Sequence, residues 1–236
     1  MRSVQDEDGY NQGWTGGVAL TVRTDRRCDL MISKMAPSPS RTVLEIGCGR
    51  GELARSLAAK TRMQVLGVDV SEAFVEEARA SAVESNVQFD VLDFTRPEQM
   101  LGRTFDYIVG NGILHHLYYD LPASLRSMRS LLAENGKVIF LEPNLHNPYV
   151  YLIFSRPKLR VRARLEPDEM AFSRKHALRS LGEAGFRDIE VEYRDFLVPG
   201  VPDRLVQPIV TVGRVAERTP AVKHMAQSLF ISATAP

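Results

Sequence analysis

Residues 43–51 read VLEIGCGRG, a short apolar run holding one acid, followed by three glycines in alternate positions. No other stretch limits the fold as tightly. Val43, Leu44 and Ile46 suit a strand covered on both faces, and the ELARSLAAK that follows has helical composition and spacing. Between them, Gly47, Gly49 and Gly51 let the backbone turn sharply and bring bare amides against a ligand that a Cβ would hold off. The spacing is G-x-G-x-G, without the G-x-G-x-x-G of a dinucleotide turn or the Lys-Ser/Thr of a P-loop. Glu45, just ahead of the glycines, would repel a diphosphate and attract a cationic amino or sulfonium group. Asp69 closes the next apolar run, VLGVDV, where a carboxylate accepts from both hydroxyls of a ribose.

The pattern continues down the chain. Strands are predicted near residues 42–46, 64–69, 87–91, 105–110, 137–142, 187–196 and 227–234, with helices between most of them, the order of a mostly parallel α/β sheet. In ALRSLGEAGF, Leu178 and Leu181 share an apolar helical face, and Gly185 is placed to end that helix before Phe186. Asp106 reads as the opening of the fourth strand and as structural.

From about residue 41 to residue 145 these segments resemble, in order, the class I S-adenosylmethionine-dependent methyltransferases. VLEIGCGRG is similar to the family's first motif, and VLGVDVSEAFVEEAR to its second strand and helix. NVQFDVLDF corresponds to the third strand, FDYIVGNGILHHL to the fourth, and LLAENGKVIFLEPN to the helix, turn and fifth strand. The resemblance implies a Rossmann-like, seven-stranded, mostly parallel sheet with helices on both faces and an antiparallel last strand. It implies S-adenosyl-L-methionine as cofactor, Asp69 at the ribose and Asp93 at the adenine amino group. The cofactor-binding set it gives is Glu45, Gly47, Cys48, Gly49, Gly51, Asp69, Val70, Asp93, Phe94 and Asn111. Asp93 has a competing role as the cap of a helix starting near Arg96. Within the family, the LHH segment and the layout look most like the small-molecule group that includes the ubiquinone and menaquinone methylases.

Length and charge agree with a single enzyme unit. A chain of 236 residues, 44% hydrophobic, can bury a sizeable core. Residues 1–40 read as an N-terminal helical extension, ending in the APSPS linker at 36–40, ahead of a core from 41 to 236 with a lid-like insertion at about 145–176. A net charge of +1 gives no global field to recruit nucleic acid or a membrane. No apolar run approaches the ~18 residues of a bilayer span. The polar opening MRSVQDEDGYNQGW is unlike a targeting peptide, and Cys28 and Cys48 make no metal spacing or disulfide framework, so a reducing cytoplasm and no metal are expected.

An acceptor should sit beyond the carboxyl ends of the strands. Asn111, His115 and His116 follow the fourth strand, and Glu142 and Asn144 close the fifth. His115 is the first choice for a base, because an imidazole titrates near neutral pH; both histidines have the alternative of shaping the pocket. In the insertion, Tyr149, Tyr151 and Phe154 mix with Arg156, Lys158, Arg160, Arg162 and Arg164. On an extended segment Arg160, Arg162 and Arg164 would share one side and meet an anionic acceptor; the alternative is a solvated edge paired with Glu166, Asp168 and Glu169. Near the start, Tyr10 and the single tryptophan, Trp14, are candidates to cover the cofactor or line the acceptor pocket, and Arg23, Arg26 and Arg27 read as a solvated helix face.

The expected activity is methyl transfer to a small molecule, with oxygen favoured and nitrogen, sulfur or carbon open. A nicotinamide oxidoreductase would need different glycine spacing, and a nucleic-acid methylase a proline-aromatic motif where this chain has NGIL. A cofactor-binding protein without turnover is the remaining alternative.

Overall fold

The computed structural model describes residues 17–100, 102–198 and 200–236, without the side chains of Pro97 and Glu98. Tyr10 and Trp14 lie outside the described residues. Seven strands, β1 (Thr42–Ile46), β2 (Gln64–Asp69), β3 (Val87–Val91), β4 (Phe105–Asn111), β5 (Leu132–Pro143), β6 (Arg187–Arg194) and β7 (Ser228–Thr234), form one sheet in the order β3-β2-β1-β4-β5-β7-β6. Pairing is parallel from β3 through to β5, and β7 runs antiparallel to both its neighbours, β5 and β6. The strand order reverses between β1 and β4, so the crevice at their carboxyl ends is where an open α/β sheet takes its ligand.

Among the described residues, eight α-helices accompany the strands: α1 (Gly17–Ile32), α2 (Glu52–Thr61), α3 (Glu72–Ser81), α4 (Leu121–Ser130), α5 (Pro148–Ser155), α6 (Pro157–Arg162), α7 (Arg174–Glu183) and α8 (Asp203–Ala216). The two faces of the sheet carry separate cores because successive side chains point opposite ways. Val43, Val65, Val109, Ile139 and Phe230 pack with Leu53, Leu57 and Val75 of α2 and α3. Their neighbours Leu44, Leu66, Ile108, Phe140 and Ile231 pack with Leu125, Met128 and Leu181 of α4 and α7. Both faces are therefore dry, which explains why the central strands read as unbroken apolar runs.

Local signals set the helix ends. Ser71 and Ser173 cap α3 and α7 by accepting from the amides of Phe74 and His176. Asn147 does the same for α5, with Pro148 at the first helical position. At the end of α7, Gly185 takes φ +83°, and the amides of Gly185 and Phe186 return to the carbonyls of Gly182 and Leu181. The helix thus stops where the sequence placed its stop.

Two expectations are corrected. Arg160 and Arg162 lie on helix α6, while Arg164 follows it with φ +54°, so the three do not share one side of an extended segment. Arg27 is 3% exposed rather than solvated: its guanidinium bonds Asp195 Oδ2, Ser228 Oγ and Asn111 Oδ1. Arg23 and Arg26 pair with the same Asp195 carboxylate, at 3.6 and 3.5 Å. Burial raises the Asp195 pKa, but these guanidinium groups outweigh it and hold the carboxyl below its usual range.

Candidate active site

The turn between β1 and α2 is built from backbone. Gly47, Gly49 and Gly51 have φ of +64°, +51° and +78°, a region other residues enter only under strain. Space adds a second demand. A Cβ on Gly47 would stand 2.6 Å from Ile113 Cδ1, and one on Gly51 would stand 2.5 Å from Phe89 Cζ. Cys48 is buried and its amide donates to Val68 O at 3.0 Å, tying the turn to β2; burial pushes its thiol pKa up. Asp69 accepts from the amides of Gly49 (2.9 Å) and Ser71 (3.0 Å), which fixes the carboxylate at the mouth of the crevice.

Glu45 lies beneath the turn, 2% exposed. Burial, then the negative charge of Glu52, pushes its pKa well above the usual carboxylate range, against a hydrogen bond from the Ala54 amide at the head of α2. Its Oε2 is buried without a hydrogen-bond partner. Such an atom is costly unless a donor or a cation arrives, and the sequence assigned Glu45 to a cationic group.

Asp93 performs the local task weighed against its cofactor role: its Oδ1 accepts from Thr95 N at 3.0 Å and from Thr95 Oγ1, ahead of a short 3₁₀ turn. Val70 is half-buried, and Phe94, 4% exposed, belongs to the core cluster that also holds Met100 and Leu117. Asn111, at the end of β4, is half-buried and receives the Arg27 guanidinium. Asp106 accepts from the amide and hydroxyl of Thr42 at 2.8 and 3.1 Å, joining β1 and β4 at the opposite edge from the crevice, in agreement with a structural reading.

On the other side of the crevice, Glu142 organises the segment after β4. This carboxylate, 1% exposed, accepts from the successive amides of Ile113 (3.0 Å), Leu114 (2.8 Å) and His115 (3.2 Å), and contacts His115 Nδ1 at 3.0 Å. Three free amides at the head of the 3₁₀ helix Leu114–Asp120 are thereby satisfied by one side chain. If the His115 ring donates from Nδ1 to Glu142, its Nε2 is left with a lone pair, facing Glu169 Oε2 at 3.9 Å. His116 Nδ1 stands 3.1 Å from Glu169 Oε1. Burial lowers the His116 pKa, yet contact with Glu169, aided by the charges of Glu142 and Glu166, raises it overall above the ordinary histidine value. Glu169 responds in the opposite sense: burial raises its pKa, and the two imidazoles bring it down.

The remaining acceptor candidates separate. Glu142 and Asn144 are committed internally: both amide hydrogens of Asn144 go to carbonyls, of His224 at 2.9 Å and Ala226 at 2.7 Å. Tyr149 and Tyr151 are exposed on α5. Arg160 donates to the carbonyls of Phe154, Glu166, Pro167 and Glu169, so it closes the insertion upon itself instead of offering a free guanidinium to an anion. Glu169, Arg27 and Asp195 were not singled out as functional in the sequence. No motif surrounds Glu169 in EPDEM, and only the clustering of Arg23, Arg26 and Arg27 hinted at a buried acid elsewhere.

Comparison with known proteins agrees with this geometry. Residues 44–138 match the family model of a methyltransferase domain. The ubiquinone biosynthesis O-methyltransferase of Hahella chejuensis is 31% identical over 123 residues, 51% of this chain and 50% of that protein. The phosphoethanolamine N-methyltransferase 1 of Arabidopsis thaliana is 31% identical over 134 residues, 55% of this chain and 26% of that protein. The chain thus spans half or less of the length of these two relatives. The magnesium protoporphyrin IX methyltransferase of Synechocystis, crystallised with S-adenosylhomocysteine, shares the fold at 18% identity, with a TM-score of 0.59 over 93% of this chain and 84% of the other. Strand order and glycine turn agree with these matches, which make residues 44–138 similar to a methyltransferase domain. Among the described residues, no helix is long and apolar enough to cross a membrane.

Proposed function

We propose that this chain transfers the methyl group of S-adenosylmethionine to a hydroxyl of a small molecule. The observation that carries the oxygen preference is the cluster of His115, His116 and Glu169, anchored by Glu142 and separated by a few residues from Ile113, which packs over Gly47 of the cofactor turn. A neutral hydroxyl is the acceptor that most needs help in losing a proton, and two imidazoles and a carboxylate at this place supply it.

The cofactor, when bound, brings an electrophilic methyl group on a sulfonium. The chain's residues fit it: the strained glycines expose amides, Asp69 is fixed to accept from a ribose, and Glu45 Oε2 awaits a positive partner. Gly47, Cys48, Gly49, Gly51, Asp69 and Asp93 are assigned to holding it. His115 and Glu169 are assigned to the acceptor, and holding donor and acceptor in line is worth ~7–11 kcal/mol in favourable systems. The committed carbonyl bonds of Arg160 remove the main reason for an anionic acceptor.

The test is a methyl-transfer assay against paired hydroxyl and amine acceptors of matched shape, alongside calorimetry with S-adenosylhomocysteine. Turnover on hydroxyls, lost in His115→Ala with cofactor affinity kept, is the expected result. Turnover confined to amines would move the acceptor atom to nitrogen. Cofactor binding without turnover on any acceptor would leave a binding protein.

A further inference from the structure

Beyond cofactor and acceptor, the geometry points to a divalent transition-metal site formed by His115, His116 and Glu169. One ligand atom from each of the three lies within 4.8 Å of the others. Around an ion held at ~2.0–2.2 Å, tetrahedral ligands stand about 3.4 Å apart. Two of the three separations, 3.1 Å (His116 Nδ1 to Glu169 Oε1) and 3.9 Å (His115 Nε2 to Glu169 Oε2), bracket that value, and the third is within 4.8 Å.

Three further observations favour an ion over a plain ionic contact. His116 Nδ1 is buried and makes no hydrogen bond despite its distance to Glu169, because the two groups are misaligned for one. Misaligned donors that crowd together are what ligands converging on a third point look like before it is filled. Second, His115 Nδ1 is held by Glu142, the arrangement by which a carboxylate fixes the ring that presents its other nitrogen to a metal. Third, the loop bearing Glu169 is fastened at both sides of the residue: Arg160 donates to the Glu166 and Glu169 carbonyls, and the Met170 amide donates to His115 O at 3.1 Å. The carboxylate is thus set against the histidines by backbone as well as by charge.

The donor set selects the ion class. Two imidazoles and one carboxylate suit Zn²⁺, Co²⁺ or Fe²⁺ better than Mg²⁺ or Ca²⁺, which take oxygen. Three protein ligands leave at least one position open. On the methyl-transfer reading above, which this part rests on, the open position takes an oxygen of the acceptor. His115 then serves as a ligand and not as the free base expected from sequence. No metal spacing is legible along the chain because Glu169 lies far downstream, brought back by the α5–α6 insertion.

The experiment uses untagged full-length protein, stripped of metal and titrated with Co²⁺ and Zn²⁺. Expected are one tightly bound ion per chain, visible d–d absorption for Co²⁺, and loss of that spectrum in both His116→Gln and Glu169→Gln. Arg160→Ala, which loosens the Glu169 loop without removing a ligand, should weaken binding by roughly 10–100-fold, the range seen when supporting residues are lost. S-adenosylhomocysteine affinity and the far-ultraviolet circular dichroism should stay at wild-type values in all three variants, which separates failure here from failure of the cofactor assignment. Absence of a Co²⁺ spectrum in the wild type, or an unchanged spectrum in both ligand variants, overturns the site.

Discussion

The two sides of the crevice are built on different principles. The side proposed for the cofactor, at β1 and β2, is made from backbone: three glycines at positive φ, the Cys48 amide on Val68 O, and one carboxylate held by the Gly49 and Ser71 amides. The side proposed for the acceptor, at β4 and β5, is made from buried polar side chains meeting across long sequence separations: Glu142 with the His115 segment, Arg27 with Asn111 and Asp195, Glu169 with both histidines. A backbone-made site tolerates no added atom. A side-chain-made site tolerates no lost partner. Substitutions should therefore fail for opposite reasons on the two sides.

The largest effect is expected on the acceptor side, at Asp195→Ala. It would leave the nearly buried Arg27 and its neighbours Arg23 and Arg26 without their shared carboxylate, and breaking a buried ion pair typically costs about 3–5 kcal/mol. Urea unfolding measures this. A loss of under about 1 kcal/mol, the range of a surface pair, would show that the cluster is effectively solvated and that the contrast between the two sides is false.

Next comes the cofactor side, at Gly51→Ala. A left-handed backbone conformation forced on alanine costs about 1–3 kcal/mol, and a Cβ 2.5 Å from Phe89 Cζ adds overpacking of similar size. Stability should fall by roughly 2–4 kcal/mol, with S-adenosylhomocysteine binding lost in calorimetry. Asp69→Ala should do the reverse: little change in unfolding, but a ~10–100-fold weaker cofactor, the value of hydrogen bonds to a charged acceptor. Unchanged affinity would remove Asp69 from the ribose.

These contrasts explain what could be read in advance. All seven strands and the Gly185 stop follow from near-neighbour patterns, apolar runs and turn residues, and so does the G-x-G-x-G turn, because backbone conformation is a local property. The reversed last strand came from family resemblance alone. Arg27 could not be recognised as buried from RTDRRCD, since its burial depends on Asp195 arriving from the end of β6. Glu142 and Asn144 were placed correctly at the end of β5, yet their internal commitments depend on amides and carbonyls contributed by other segments. The α5–α6 insertion misled the extended reading of the arginines because Pro157 starts a helix there.

A pH experiment sharpens the comparison at Glu45. Its folded pKa is raised from 4.5, so its contribution to stability is fully present below about pH 4.5 and is lost as pH rises through the folded value. Glu45→Gln should flatten the stability profile across that window, by no more than about 1.4 kcal/mol per pH unit, the limit for one proton. Identical profiles for the two proteins would mean that the Glu45 carboxyl titrates alike in the folded and the unfolded chain.

The smallest effects separate two neighbours on α6. Arg160 holds four carbonyls of the insertion, whereas Arg162, one half-turn away, is exposed. Arg160→Ala should cost about 1–2 kcal/mol, since the carbonyls that lose their donor are only partly shielded from water. Arg162→Ala should stay within about 0.5 kcal/mol. Under the extended reading both would face an anionic acceptor, and each would raise its KM without touching stability. A stability loss confined to Arg160 therefore decides between a guanidinium that builds the insertion and one that reads the substrate, and equal KM effects at both positions would restore the anion site.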